Sequence, residues 1–136
     1  MADAHHKVEQ GRAETALHHV QAAVNAGDNV ADKYKSYVKN LPMLIQINGL
    51  GTALTFAKAK GTGGSDEARA YALIYKQIDE WLSDESNAYV FANSDSSGDL
   101  VERLVTLESK AHRAATRETL LLLHWLRRLA DGMITS

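Results

Sequence analysis

Apolar residues in the first part of the chain recur at three- and four-residue steps: Ala13, Ala16, Leu17, Val20, Ala23 and Val24. That period marks one face of a helix. Gly27-Asp28-Asn29 supplies a stop for it and a cap for the next. A second helix runs from about Asn29 toward Leu41, where Pro42 lacks an amide donor and disfavours helical geometry in the residue before it. Pro42 therefore either kinks this helix or begins another, and a bend is expected on both readings.

The stretch LPMLIQINGLGTALTFAKAKG, Leu41 to Gly61, admits two structures. Asn48-Gly49 between apolar runs is a strong hairpin signal, which would make MLIQI and LGTALTF short strands. Against it, Met43, Ile47, Leu50, Leu54 and Ala57 stay in phase on one helical stripe across the glycines, and the alanine–lysine run behind them favours helix. Helix is the expectation. Gly49 and Gly51 each cost about 1 kcal/mol in a helix, so they are expected where a neighbouring helix or backbone comes close. Neither GLGTAL nor GTGGSD has the spacing of a dinucleotide loop or the Gly-Lys-Ser/Thr of a P-loop.

Gly61 to Ser65 reads as a flexible connection ending in a cap at Ser65, with Asp66 and Glu67 in the first turn, where the helix dipole favours acids. Ala68, Tyr71, Ala72, Tyr75, Ile78 and Leu82 form the next buried stripe. From Ser83 to Gly98 the composition turns to Ser, Asp and Asn around a Tyr89-Val90-Phe91 island, an ordered loop or short helical turn pinned by aromatics. Asp99 and Glu102 resemble a capping box opening the longest helical tract, which reaches Asp131 before Gly132. Unbroken, it would span about 50 Å at 1.5 Å per residue, so a break is expected near Thr116. The expected fold is all-α: one domain over 1–136, a compact bundle of about five helices with a kink or break at Pro42 and no β-sheet.

Charge and composition change this picture in two ways. The chain has no cysteine, which removes disulfides, thiolate metal sites and cysteine nucleophiles, and fits a reducing compartment. MADAHHKVEQGRAE lacks the apolar core of a signal peptide, and no segment approaches the roughly 20 apolar residues of a membrane helix. A cytoplasmic protein without membrane contact is expected. The net charge of −2 conceals segregation: −3 over residues 1–32, +5 over 33–60, −6 over 61–99 and +2 over 100–136. Two basic segments brought together would make a positive face on a mildly acidic protein.

Candidate chemistry is sparse. Glu14 and His18 lie four apart on a helix, but two ligands make no metal site, and His5, His6 and His19 read as solvated. No nucleophile with its base and no paired carboxylates stand out, so neither a cofactor nor catalysis is expected. A stronger pattern lies near the C-terminus. On one continuous helix, Arg103, Lys110, Arg113, Arg117, His124 and Arg128 share a quarter-turn sector, while Leu100, Leu104, Leu107, Ala111, Ala115, Leu122, Leu126 and Leu129 fill the packed side. Such a cationic stripe is either a solvated helix face or a surface for phosphates, which guanidinium groups grip bidentately. Glu118 falls on the packed side. It marks the helix break or is a buried acid with an arginine partner. Tyr71, Tyr75, Trp81 and Trp125 have core spacing, and no base-reading signature is visible.

Two segments, YKSYVKNLPMLIQINGLGTALTFAKAKG (Tyr34 to Gly61) and RAATRETLLLLHWLRRLADG (Arg113 to Gly132), together resemble the small α-helical subunit of type III-B CRISPR effector complexes. The similarity lies in the tyrosine-rich lead to Leu-Pro, the order isoleucine, Asn-Gly-Leu-Gly, phenylalanine, and the C-terminal glutamate, leucine run, tryptophan and basic pair. It implies a non-catalytic helical bundle. It also implies partners: other Cmr subunits (backbone and large), further copies stacked head to tail along the crRNA-bearing backbone, and target RNA along the path they line. Asn-Gly-Leu-Gly then becomes a tight helix crossing inside the bundle. Candidate RNA-backbone contacts are Lys58, Lys60, Arg103, Lys110, Arg113, Arg117 and Arg128. A helical adaptor that binds a protein partner through its segregated charge, without RNA, is the alternative.

Overall fold

The computed structural model describes residues 2–92 and 98–135, with side chains from residue 9 onward. Among these, the chain forms helices α1 (Ala2–Asn25), α2 (Asp28–Asn48), α3 (Leu50–Lys60), α4 (Asp66–Leu82), α5 (Leu100–Val105) and α6 (Ser109–Met133), with a 3₁₀ turn at Glu85–Asn87 and no strand. The expectations for Ser94 to Ser97 and for the His5 and His6 side chains lie outside the described residues.

The bundle pairs α1 with α6, and α2 with both α4 and α6, while α3 lies against α4. Its core draws on Ala16, Val20 and Ala23 of α1, Tyr34, Val38 and Ile45 of α2, Leu50 and Leu54 of α3, Ile74 and Ile78 of α4, and Leu122, Leu123 and Leu126 of α6. Leu17 and Val24 fall outside the buried face of α1, and His19, expected in solvent, lies inside it. Tyr34 donates to Gln77 Oε1 at 2.6 Å, and Gln77 Nε2 donates to the His19 carbonyl at 3.0 Å, tying three helices through one buried amide. Burial pushes the Tyr34 hydroxyl well above its ordinary range.

Gly27, at φ +111°, caps α2, which runs through Pro42 to Asn48, so the chain does not break at the proline. The next join resolves the Asn-Gly question in favour of helix, with one correction. Gly49 at φ +88° ends α2 by donating to the Ile45 carbonyl at 2.8 Å and starts α3 by accepting from the Ala53 amide at 3.1 Å. A positive φ is what glycine supplies there. The turn also ends the common stripe: Met43 and Ile47 are 66% and 72% exposed, whereas Leu50, Leu54 and Ala57 are buried. Space around Gly49 and Gly51 is open, so neither serves a close crossing. That role belongs to Gly61, where a Cβ would lie 3.0 Å from the Ala72 amide nitrogen.

Ser65 caps α4 as expected, accepting from the Ala68 amide at 3.1 Å. The buried side of α4 is wider than one stripe: Ala70, Ile74, Gln77 and Trp81 join Ala68, Ile78 and Leu82, because neighbours lie on more than one side. Ala72 is exposed, and Tyr71 and Tyr75 are half-buried. Tyr71 stacks on Tyr37 with ring centroids 3.9 Å apart. Asp99 caps α5 and accepts from the Tyr75 hydroxyl. The break in the last tract falls at Thr106 to Glu108, not near Thr116. Glu108 is extended (φ −66°, ψ 157°) and opens α6, which passes Thr116 intact with that hydroxyl donating to the His112 carbonyl at 3.0 Å.

Candidate nucleic-acid interface

A buried ion pair fixes the rotation of α6. Arg12 of α1 and Glu118 of α6, 4% and 1% exposed, meet side by side, with Nε to Oε1 at 3.0 Å and Nη2 to Oε2 at 2.9 Å. Trp81 Nε1 donates to the same Oε1 at 3.2 Å, and the Tyr89 hydroxyl to Oε2 at 2.9 Å. Glu9 takes the remaining Arg12 nitrogen at 2.6 Å and also accepts from Trp125 Nε1 at 2.9 Å. Burial works to raise the Glu118 pKa, but the hydrogen bonds from Arg12, Tyr89 and Trp81 and the charge of Arg12 outweigh it and hold the carboxyl below its ordinary value. Of the two meanings open for Glu118, the buried acid with an arginine partner is the one found.

With Glu118 turned inward, its neighbours Arg113 and Arg117 face outward. Together with Lys110, Ala114 and Tyr89 they line a surface cavity of about 320 Å³. Lys110, Arg113 and Arg117 are exposed and make no ion pair or hydrogen bond among the described residues. Their location adds to the field. Lys110 lies in the first turn of α6, at the helix end that carries partial positive charge and that has Glu108 at its cap position. A cation there is disfavoured by about 0.3–1 kcal/mol, and an anion in front of it reverses that sign.

The other expected contacts are placed differently. Arg103 belongs to α5, beyond the break, so no single stripe joins it to Arg128. It bonds Asp79 Oδ1 at 3.4 Å and Ser83 Oγ at 3.1 Å, and its guanidinium lies 4.1 Å from the Phe91 ring centroid. Lys58 is exposed but bonded to Asp99 at 2.9 Å. Lys60 and Arg128 are exposed, 5.7 Å from the Phe56 ring and 6.0 Å from the Trp125 ring. Part of the charge segregation closes within the molecule: Lys33 meets Glu67 at 3.8 Å, as Lys58 meets Asp99. Tyr89 and Arg127 were not among the expected site residues, although Arg127 is exposed beside Arg128. Among the described residues, no three His, Asp or Glu side chains gather as metal ligands, and no helix is long and apolar enough to cross a membrane.

An all-helical bundle in which, among the described residues, a buried ion pair anchors a cationic helix face defines the class: a small helical protein with an exposed cationic surface. Residues 8–133 match the model of a family described as CRISPR-associated protein (Cas_Cmr5). The chain belongs to this family and is a small subunit of the type III-B Cmr complex, a structural subunit that works together with other subunits.

Proposed function

We propose that this subunit is non-catalytic, stacks in several copies along the crRNA-bearing backbone of the complex, and contacts the sugar-phosphate backbone of the target RNA. The proposed contacts are Lys58, Lys60, Arg103, Lys110, Arg113, Arg117 and Arg128, on one domain working in the cytoplasm. The observation that carries this reading is the group Lys110, Arg113 and Arg117: three exposed cations with no ion pair or hydrogen bond among the described residues, lining one cavity along the first half of α6. Guanidinium groups in that state are available for bidentate contact with phosphate, and neutralising phosphates releases counterions. Lys58 and Arg103 must leave or share an internal partner first, so they contribute less. The internal pairing of Lys33 and Lys58 argues against a protein adaptor that docks through segregated charge alone.

The test is binding of single-stranded RNA by the full chain across a salt series, repeated with Arg113→Glu and Arg117→Glu. Affinity that falls linearly on a log–log salt plot, with a shallower slope in the variants, supports the proposal. Salt-dependent self-association with no RNA affinity would favour the adaptor.

A further inference from the structure

A sugar-phosphate backbone accounts for the cations of the α6 cavity but not for its aromatic residue. Tyr89 lines the cavity and is 53% exposed. Five other aromatics near the surface have ring partners: Tyr37 and Tyr71 stack, Phe56 packs edge-on to Tyr71, Arg103 lies over Phe91, and Arg128 stands near Trp125, while Tyr75, which has none, is half-buried. Tyr89 has no such ring contact among the described residues. Its hydroxyl, by contrast, is fixed. It donates to Glu118 Oε2 at 2.9 Å, and desolvation together with that bond pushes its pKa up to about 12, so it remains protonated. Glu118 is in turn held by Arg12 and Trp81, so the phenol is anchored at one end to a buried, multiply bonded carboxylate. A ring fixed this way loses little conformational freedom when a flat ligand settles on it.

The cavity lies at the lower end of the 300–1,000 Å³ range typical of small-ligand sites, about the scale of a single nucleotide. Ala114 contributes only a methyl group, and cations stand on both sides of it along the helix, at Lys110, Arg113 and Arg117. We infer that Tyr89 is a base-stacking platform: the cavity takes one nucleotide of single-stranded RNA, its base against the Tyr89 ring and its flanking phosphates on Lys110, Arg113 and Arg117. The inference rests on the RNA-binding reading above and adds a contact with the base itself. Every base has a π-face, so such a platform holds RNA without reading its sequence.

The experiment compares a fluorescein-labelled single-stranded RNA with an oligomer of the same length and phosphate count whose bases are removed, each titrated with the full chain. Wild type is expected to bind the base-bearing strand about ten-fold more tightly. Tyr89→Phe, which keeps the ring, should retain that ratio, and Tyr89→Leu should bring it to about one while binding of the abasic strand stays unchanged. Thermal melts of both variants check folding, and the two-oligomer ratio on wild type needs no variant. Equal binding of the two oligomers by wild type overturns the stacking platform and leaves the backbone contact standing. A ratio that persists in folded Tyr89→Leu also overturns it, by placing the base elsewhere. Failure of wild type to bind either oligomer overturns the RNA-binding reading and this inference with it.

Discussion

Arg117 and Glu118 are neighbours in sequence and opposite in use. Glu118 is enclosed and receives four donors from three side chains, whereas Arg117 is exposed and has no hydrogen-bond or ion-pair partner among the described residues. The same contrast separates Arg12 from Arg113. One set of charges holds the helices in register and is shielded from salt. The other is open to solvent and available to an anion. Where a charge ends up matters more than how many charges there are: the net of −2 describes neither region.

Breaking the enclosed pair gives the largest expected effect. Arg12→Ala leaves the Glu118 carboxylate buried and unmatched and should cost about 3–5 kcal/mol, seen as a lowered midpoint in urea unfolding, and Glu118→Ala, which leaves Arg12 its bond to Glu9, should cost less. A loss under about 1 kcal/mol would mean that the pair is accessible to water after all. Reversing the open charges should act on the other axis. Arg113→Glu or Arg117→Glu should weaken RNA binding about ten-fold, or about 1.4 kcal/mol, while stability moves by no more than about 0.5 kcal/mol. Stability falling along with affinity would erase the distinction between the two regions.

Acid sharpens the contrast further. The folded-state pKa of Glu118 lies below its ordinary 4.5, so its contribution is full above that value and is lost as pH falls through the folded pKa. His19 acts earlier. Burial lowers its pKa from 6.5, and its Nε2 is buried without a partner among the described residues, so below about pH 6.5 the unfolded chain takes up a proton that the folded chain refuses. Stability should therefore begin to fall below pH 6.5 and fall again in the carboxylate range. Urea midpoints measured from pH 7.5 to 3.5 should show both steps, and His19→Leu should remove the first. The smallest effect belongs to an intermediate case: Lys58, exposed but paired with Asp99, should lose less than about 1 kcal/mol of stability as Lys58→Ala and less RNA affinity than Arg113→Ala. Equal RNA losses from the two would mean that an exposed internal partner does not hold a lysine back.

The helices were legible because periodicity and capping are local. Ser65 and Asp99 cap where their neighbours said they would. The glycines were misassigned because a backbone angle and a close approach look alike in one dimension: Gly49 serves the first and Gly61 the second. Chain length showed that the last tract must break, but the position lay in Thr106-Leu107-Glu108-Ser109, whose capping chemistry is a better signal than the midpoint. Glu118 was visible as an acid on the wrong side of a helical wheel. Its partner was not, since Arg12 is 106 positions away and no local pattern links them. Tyr89 was hidden for a similar reason: inside a polar loop, its value depends on where α6 passes.

The Arg12–Glu118 pair also sets an order of events during synthesis. With 106 positions separating the partners, and ribosomes adding about 5–20 residues per second, Arg12 is made roughly 5–20 s before the acid it needs. Until α6 arrives, the arginine lacks its buried acid and the face of α1 destined for the core is covered only in part, by α2 and α4. The bundle is thus closed by its last long helix, and a nascent chain stopped short of that helix presents α1 to chaperones as an unmatched amphipathic segment.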